Sequence, residues 1–585
     1  MCLHSSSFRP TAFRCLVLVL LLSAPLRAGE PPVKTNIPCY GRWERQFDAQ
    51  LKVDRVEFTG PDGKTESRPA FAHQPAEFSY DRHGYETLKP QGPPVTAVRF
   101  TPAQPGTYRF RGLSGQNTAV EGEIACEPSA HPGYVVVSAR DPRYFALSNG
   151  DSFCPIGLNL CWPETFALPS GKEFGTTGAR GTLGGAQYRR WLGELSRNGG
   201  NFIRIWAANG YFEAQTDVAG KMDDLAFNKL DRVVALARAD NVRVKLCLDY
   251  FRSFRPGAPM RRTLKHPDDG RSPKDMNEFF KEKTWRELWL KKVQAYAARY
   301  GGDPTVAVVE LWNEINACEG DWDAKRDWTR DMLRELQAMF PRQLVVNSLG
   351  SYDSDWAKQH HVDFKMDEMA FQQVHRYLDQ GAGYKICSDP VAFSIDAVNL
   401  ARRPDRPVLL AETGAVNDCH SGPFRFYGSD HRGLIFHDTT YPAFFAGAAG
   451  TGQIWHWDCY VDCKNLWPAF KPFSELIAGV ALDQEDFKAA DFSNDKAWFL
   501  CLRGKKHVLA CVRNKADRWD LVLRDGQEPE ALKDLVFDLS PAGVKEGAVT
   551  LLSTWPETLT GAKLEAGKLM LPPLRYGVLV RVNVN

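Results

Sequence analysis

Apolar and polar positions change rhythm twice along this 585-residue chain, and the changes mark three regions. From 32 to 128 the period is two. Val53-Asp54-Arg55-Val56-Glu57-Phe58 alternates and then breaks at Gly60-Pro61-Asp62-Gly63. Val98-Arg99-Phe100 and Tyr108-Arg109-Phe110-Arg111 alternate again on either side of a turn-rich break at 102–106. Short alternating runs between Gly/Pro punctuation predict half-buried strands, and strands at this spacing predict an immunoglobulin-like β-sandwich. From 140 to 484 strand-like apolar runs are expected at 154–160, 201–206, 242–248, 306–312, 344–347, 370–375, 407–411 and 452–457. Helix-period segments at 188–198, 225–239, 282–300 and 322–340 separate several of them. Near-continuous apolar runs suit parallel strands covered on both faces, and this alternation predicts an α/β fold, a (β/α)8 TIM barrel. A doubly wound sheet competes, but no glycine-rich phosphate loop follows the first run. From 486 to 585 strand patterns return, with a hairpin turn at Gly504-Lys505-Lys506, and predict a second antiparallel β-sandwich.

The first 28 residues change the cellular picture. Arg9 and Arg14 precede an apolar run at 15–26, and Leu26-Arg27-Ala28 offers an imperfect cleavage site, the layout of a signal peptide. The run is short for a bilayer span. The expectation is a secreted or periplasmic protein with no transmembrane segment in the mature chain, a retained anchor being the alternative. Of 14 cysteines, Cys2 and Cys15 fall in the leader, and export permits disulfides among the others. Cys39 and Cys126 bracket the first sandwich and could staple its ends. No Cys/His group has convincing zinc spacing. A net charge of +2 gives no footprint for nucleic acid, while the 12% aromatic content, with 16 tryptophans, is compatible with sugar stacking.

Candidate chemistry sits at strand ends. Val308-Val309-Glu310-Leu311-Trp312-Asn313-Glu314 carries an apolar strand into an Asn-Glu pair, and Val408-Leu409-Leu410-Ala411-Glu412-Thr413-Gly414 carries another into a glutamate. In a barrel the C-terminal strand ends form the active site, and strands four and seven face one another across its mouth. Two facing carboxyls suit glycoside hydrolysis, with one protonating the leaving oxygen and the other attacking or stabilising the anomeric carbon. Glu310 reads as an internal strand carboxylate. Asn159, Trp162 and Glu164 after the first strand, Asp249 and Tyr250 after the third, and Asp458 after the eighth are further candidates for the same mouth.

Trp312-Asn313-Glu314 together with Glu412-Thr413-Gly414 resembles the signature of glycoside hydrolase clan A, in particular cellulase- and mannanase-like family 5 enzymes. The likeness extends to Asn201-Phe202-Ile203-Arg204-Ile205-Trp206, to His375-Arg376-Tyr377 and to Trp455-His456-Trp457. The amino-terminal β-segment resembles a sandwich domain of unknown function often fused to such barrels. The resemblance implies a retaining hydrolase of β-linked glycosides or polysaccharides, with Glu314 as acid/base and Glu412 as nucleophile, needing no metal or organic cofactor. Asn313 would meet the sugar 2-hydroxyl. Arg204 and Tyr377 would hold the Glu412 carboxylate, with His375 beside them. Trp455 or Trp457 would form the floor under a pyranose ring. Many relatives carry a histidine in the stretch where Leu248-Asp249-Tyr250-Phe251 stands here, which leaves the sugar, the linkage, and exo or endo action open. A non-catalytic carbohydrate-binding or adhesion protein on a degenerate barrel is the alternative; binding alone does not require this carboxylate pair.

Overall fold

The computed structural model describes residues 34–584 except 49, 164–181, 259, 421, 554 and 556–558. The leader at 1–28 and Glu164 lie outside the described residues. The centre of the chain is an α/β barrel. Its parallel strands are β1 (Gly157–Asn159), β2 (Phe202–Trp206), β3 (Arg243–Cys247), β4 (Val306–Glu310), β5 (Leu344–Val346), β6 (Gln372–His375) and β7 (Val408–Glu412). β1 to β5 form one sheet in sequential order, and β6 pairs with β7. The Ala370 N–H donates to the Val345 carbonyl at 3.0 Å and links the two groups. Every residue of β2, β3, β4 and β7 is buried, which explains why β2, β4 and β7 read as near-continuous runs, while β3 buries Arg243 and Lys245 among its apolar residues.

Helices Gly185–Arg197, Phe227–Ala239, Lys283–Tyr300, Trp322–Met339 and Pro390–Ala401 pack around the strands. Trp322–Met339 buries Ala324, Trp328, Met332 and Leu336, a four-residue spacing that puts one stripe against the barrel. The expected eighth strand at 452–457 is corrected in form. Ile454 makes single parallel bridges to Leu158 and Thr413 and so closes the ring between β1 and β7. The chain then leaves the ladder at His456, whose φ is 58°, and enters a π-helical turn at Trp457–Asp462. The turn carries Trp457 into the core, where it is 1% exposed.

Before the barrel, a five-stranded and a three-stranded sheet lie face to face. Phe58 of the first stacks on Phe100 of the second at 4.0 Å, and Trp43 packs on Phe110 at 5.2 Å. A separate hairpin, Ala76–Tyr80 with Glu86–Pro90, extends from this sandwich. After the barrel, a five-stranded and a three-stranded antiparallel sheet enclose Phe499 and Phe537 at 4.4 Å. Among the described residues no helix is long and apolar enough to cross a membrane.

Buried charge joins the sandwiches to the barrel. Arg99 of the first grips Asp231 on helix Phe227–Ala239 with two bonds of 2.7 and 2.6 Å, and Arg513 of the second pairs with Asp438 at 2.7 Å. Removing one partner of a buried pair leaves the other uncompensated, which costs about 3–5 kcal/mol. Arg99→Met is therefore expected to lower the melting temperature by several degrees in scanning calorimetry; an unchanged transition would show that water replaces the guanidinium.

Candidate active site

The site is built upward from the barrel floor. Strand pairing sets Asn159 beside Arg204 and Arg204 beside Lys245. Arg204 is 1% exposed and reaches four side chains. Its Nε donates to Glu310 at 2.7 Å, its Nη1 to Glu412 at 3.2 Å and to Asn159 at 3.4 Å, and its Nη2 to the Asn313 oxygen at 2.6 Å. Glu310 is also approached by Lys245 at 3.4 Å and accepts from the Gln373 amide at 3.0 Å. Burial alone would raise the Glu310 carboxyl, but Arg204 and Lys245 outweigh it and hold it down at about 2. Burial brings Lys245 down to about 8. Two cations thus face two carboxylates, and the charge of the floor balances.

Above the floor the two glutamates meet. Glu412 ends β7, and its pairing with His375 of β6 puts imidazole beside carboxylate. Glu314 comes from the turn after β4, where its φ of 49° is left-handed, a conformation non-glycine residues adopt mainly under local constraint. The Glu314 N–H donates to the Ser348 hydroxyl at 3.0 Å, which helps hold that turn. Gly350 leaves room for the carboxyl, since a Cβ there would stand 3.1 Å from the Glu314 carboxyl carbon. His375 Nδ1 lies 2.8 Å from Glu314 Oε1 and 3.0 Å from Glu412 Oε2, so one imidazole proton serves both carboxyls.

The two carboxyls are driven apart electrostatically. Burial, with the charge of Glu412, raises Glu314 above the ordinary glutamate range. Glu412 is pushed up by burial too, but His375 and Arg204 outweigh that and hold it below the ordinary range. His375 itself is raised: burial would lower it, and the flanking carboxylates outweigh burial. Tyr377 hydrogen-bonds Glu412, and burial next to that carboxylate keeps the phenol protonated. The arrangement holds a proton donor and an ionised carboxylate side by side, as acid/base and nucleophilic chemistry require.

Aromatic rings gather beside Arg204, whose guanidinium lies 5.6 Å from the Trp206 ring. Trp455 is partly exposed and lies 5.2 Å from Trp206, 5.6 Å from Trp162 and 5.2 Å from Trp457. Tyr250 stacks on Trp206 at 5.0 Å and extends the wall over β3. Asn159 is fully buried; its amide donates to the Gln453 carbonyl at 2.9 Å and its oxygen faces Arg204, so it stands in the floor. Asp249 has both oxygens engaged, one by Lys292 at 3.2 Å and the other by the Tyr250 N–H at 3.0 Å with Arg252 at 3.5 Å. It is 2% exposed and braces the loop after β3. Asp458 is buried in the π-helical turn. The Asn313 amide nitrogen is buried with no protein acceptor. Lys245 and Gln373 escaped the sequence reading; the available signal was a lysine inside the apolar run at 242–248.

Among the described residues, Glu314, His375 and Glu412 are the three-residue group whose ligand atoms, all within 4.8 Å of one another, could hold a metal ion. The Arg204 guanidinium bonded to Glu412 opposes a second cation there.

Residues 168–425 match the family model described as cellulase (glycosyl hydrolase family 5). That stretch is a family 5 glycosyl hydrolase domain. The family 5 match contains Arg204, Glu314, His375 and Glu412, whereas Asn159, Trp162 and Trp455 lie outside it. A curated relative, mannan endo-1,4-beta-mannosidase 5 of Arabidopsis thaliana, is 23% identical over 265 residues, covering 39% of this chain. The chain spans 61% of that protein's length. A crystal structure of a putative glycoside hydrolase from Bacteroides vulgatus superposes with a TM-score of 0.55 at 15% identity, covering 94% of this chain and 100% of that one. It shares the fold over nearly the whole of this chain. The resemblance to clan A is thus borne out for the family 5 domain, as is the fold class.

Proposed function

We propose that this chain is a retaining hydrolase of β-linked glycosides, with Glu412 as nucleophile and Glu314 as acid/base. The observation that carries the reading is the proximity of the two carboxyls, one oxygen of each reaching the same His375 nitrogen, at 2.8 and 3.0 Å. Retaining enzymes hold their carboxyls about 5–5.5 Å apart, while inverting enzymes leave about 6.5–9.5 Å for a water. Glu412 attacks the anomeric carbon as Glu314 gives its proton to the departing oxygen. Glu314, now ionised, takes a proton from water, the water oxygen attacks the same carbon, and Glu412 leaves. Asn313, anchored by its oxygen to Arg204, keeps an N–H free for the sugar hydroxyl next to the reacting carbon. Arg204 and His375 keep Glu412 ionised until it attacks.

The Arabidopsis relative makes β-1,4-mannan the first polymer to try, followed by β-glucans and β-galactans. Proton NMR during hydrolysis should show product appearing first in the β configuration and mutarotating later. First appearance as α would exclude double displacement. Export of the mature chain belongs to the same proposal and rests on the leader-like first 28 residues.

A further inference from the structure

Helix Gly185–Arg197, the first helix of the barrel, has no cap of its own. Its N-cap is Gly184, no side chain of the helix's own start accepts from the first turn, and that turn carries no acid. The missing acceptor comes from another domain. Glu86, on the hairpin extending from the amino-terminal sandwich, accepts from the Gly185 N–H at 2.7 Å. A carboxylate at this position satisfies an orphan donor and meets the positive end of the helix dipole. The same carboxylate accepts from Tyr211 Oη at 2.5 Å, in the loop after β2, and pairs with Arg232 at 2.7 Å. Its side chain is 2% exposed. The hairpin also lays Phe78 under the Arg232 guanidinium at 4.5 Å. The glycine pair is what permits the approach: a Cβ on Gly184 would stand 2.5 Å from the Glu86 carboxyl, and one on Gly185 would collide with Arg232.

This contact leads to the sugar cleft in two short steps. The Glu86 N–H donates to the Thr182 carbonyl at 2.7 Å, and Thr182 Oγ1 donates to the Pro163 carbonyl at 2.5 Å. Pro163 follows Trp162, the ring wedged against Trp206, Trp455 and Trp457 at 5.3, 5.6 and 4.8 Å. The hairpin therefore ties Thr182, and through it Pro163, to the sandwich, one residue from Trp162.

We propose that the amino-terminal sandwich serves the substrate site through Glu86, a positioning residue that sets the Trp162 wall of the sugar cleft. This rests on the glycosidase reading above. Glu86 touches neither catalytic carboxyl, so its loss should act on substrate grip and not on bond cleavage.

The test compares Glu86→Ala, Glu86→Gln and Thr182→Val with the wild-type chain on manno-oligosaccharides, together with a short aryl β-mannoside. Losing a charge-assisted buried bond is expected to raise KM for the oligosaccharides about tenfold in Glu86→Ala. Glu86→Gln keeps an acceptor for Gly185 and should shift KM less. Thr182→Val leaves the domain contact intact and should shift KM in the same direction. In all three, kcat on the aryl glycoside should stay within about twofold of wild type. Unchanged KM in every variant would overturn the inference, and so would a parallel fall of kcat and melting temperature with KM constant. A wild-type chain that cleaves no β-glycoside of the panel would sink the glycosidase reading and this inference with it; an active wild type with indifferent variants would sink this inference alone.

Discussion

Glu412→Ala is expected to abolish turnover of a β-linked glycan, with kcat down by about 10⁴-fold or more, the scale on which loss of an enzymic nucleophile registers. Without the carboxylate no covalent intermediate can form, and Arg204 and His375 lose the charge they face. Glu412→Gln, which still accepts from Arg204, separates chemistry from stability. Its melting temperature should lie nearer to wild type than that of the alanine variant, while its activity should be just as low. Adding azide to Glu412→Ala gives a small anion access to the vacated face. With an activated aryl glycoside it should yield the α-glycosyl azide, the product of a single displacement. Turnover within tenfold of wild type in both variants would remove Glu412 from the nucleophile's role.

Glu314→Gln should produce a different defect. General acid–base assistance contributes about 10²- to 10⁴-fold, and substrates with poor leaving groups should lose that much. A dinitrophenyl glycoside needs no proton to depart, so its first step should survive while the second stalls for want of a base. A stopped-flow burst followed by slow release is the expected record. The pH profile adds a second readout. In the proposed mechanism catalysis needs Glu314 protonated, and its carboxyl is raised by burial and by Glu412, so activity should be lost as pH climbs through that raised value. It needs Glu412 ionised, and that carboxyl is lowered by His375 and Arg204 against burial, so activity is lost as pH falls through the lowered value. On an aryl glycoside whose leaving group does need the proton, Glu314→Gln should erase the alkaline limb and keep the acid one. Persistence of the alkaline limb would assign it to His375 instead.

What could be read from the sequence follows from how each feature is encoded. Parallel strands buried on both faces are near-continuous apolar runs, so β2, β4 and β7 stood out, the last two together with the glutamates that follow or end them. The eighth position was harder to read, because its role in closing the ring is carried by single bridges at Ile454, and no periodicity marks a bridge. Asp249 shows the other limit. Its place after a strand was legible, but its partners Lys292, Arg252 and Arg262 come from helix and loop segments folded back onto it. Glu86 lay in a different predicted domain from the loop it braces, and nothing local to either segment announces the contact.

The floor under the catalytic pair also bears on how a protein of this kind can change over generations. Arg204 answers to Glu310, Glu412, Asn159 and Asn313 at once, and Glu310 answers in turn to Lys245 and Gln373. Replacing Arg204, Glu310 or Glu412 alone leaves a buried charge short of its partner, so one-step routes through the floor are few. Trp162 and Tyr250, each only partly buried, are under no such obligation. New sugar preferences should therefore arise by drift at the rim, while the machinery beneath is inherited as a block.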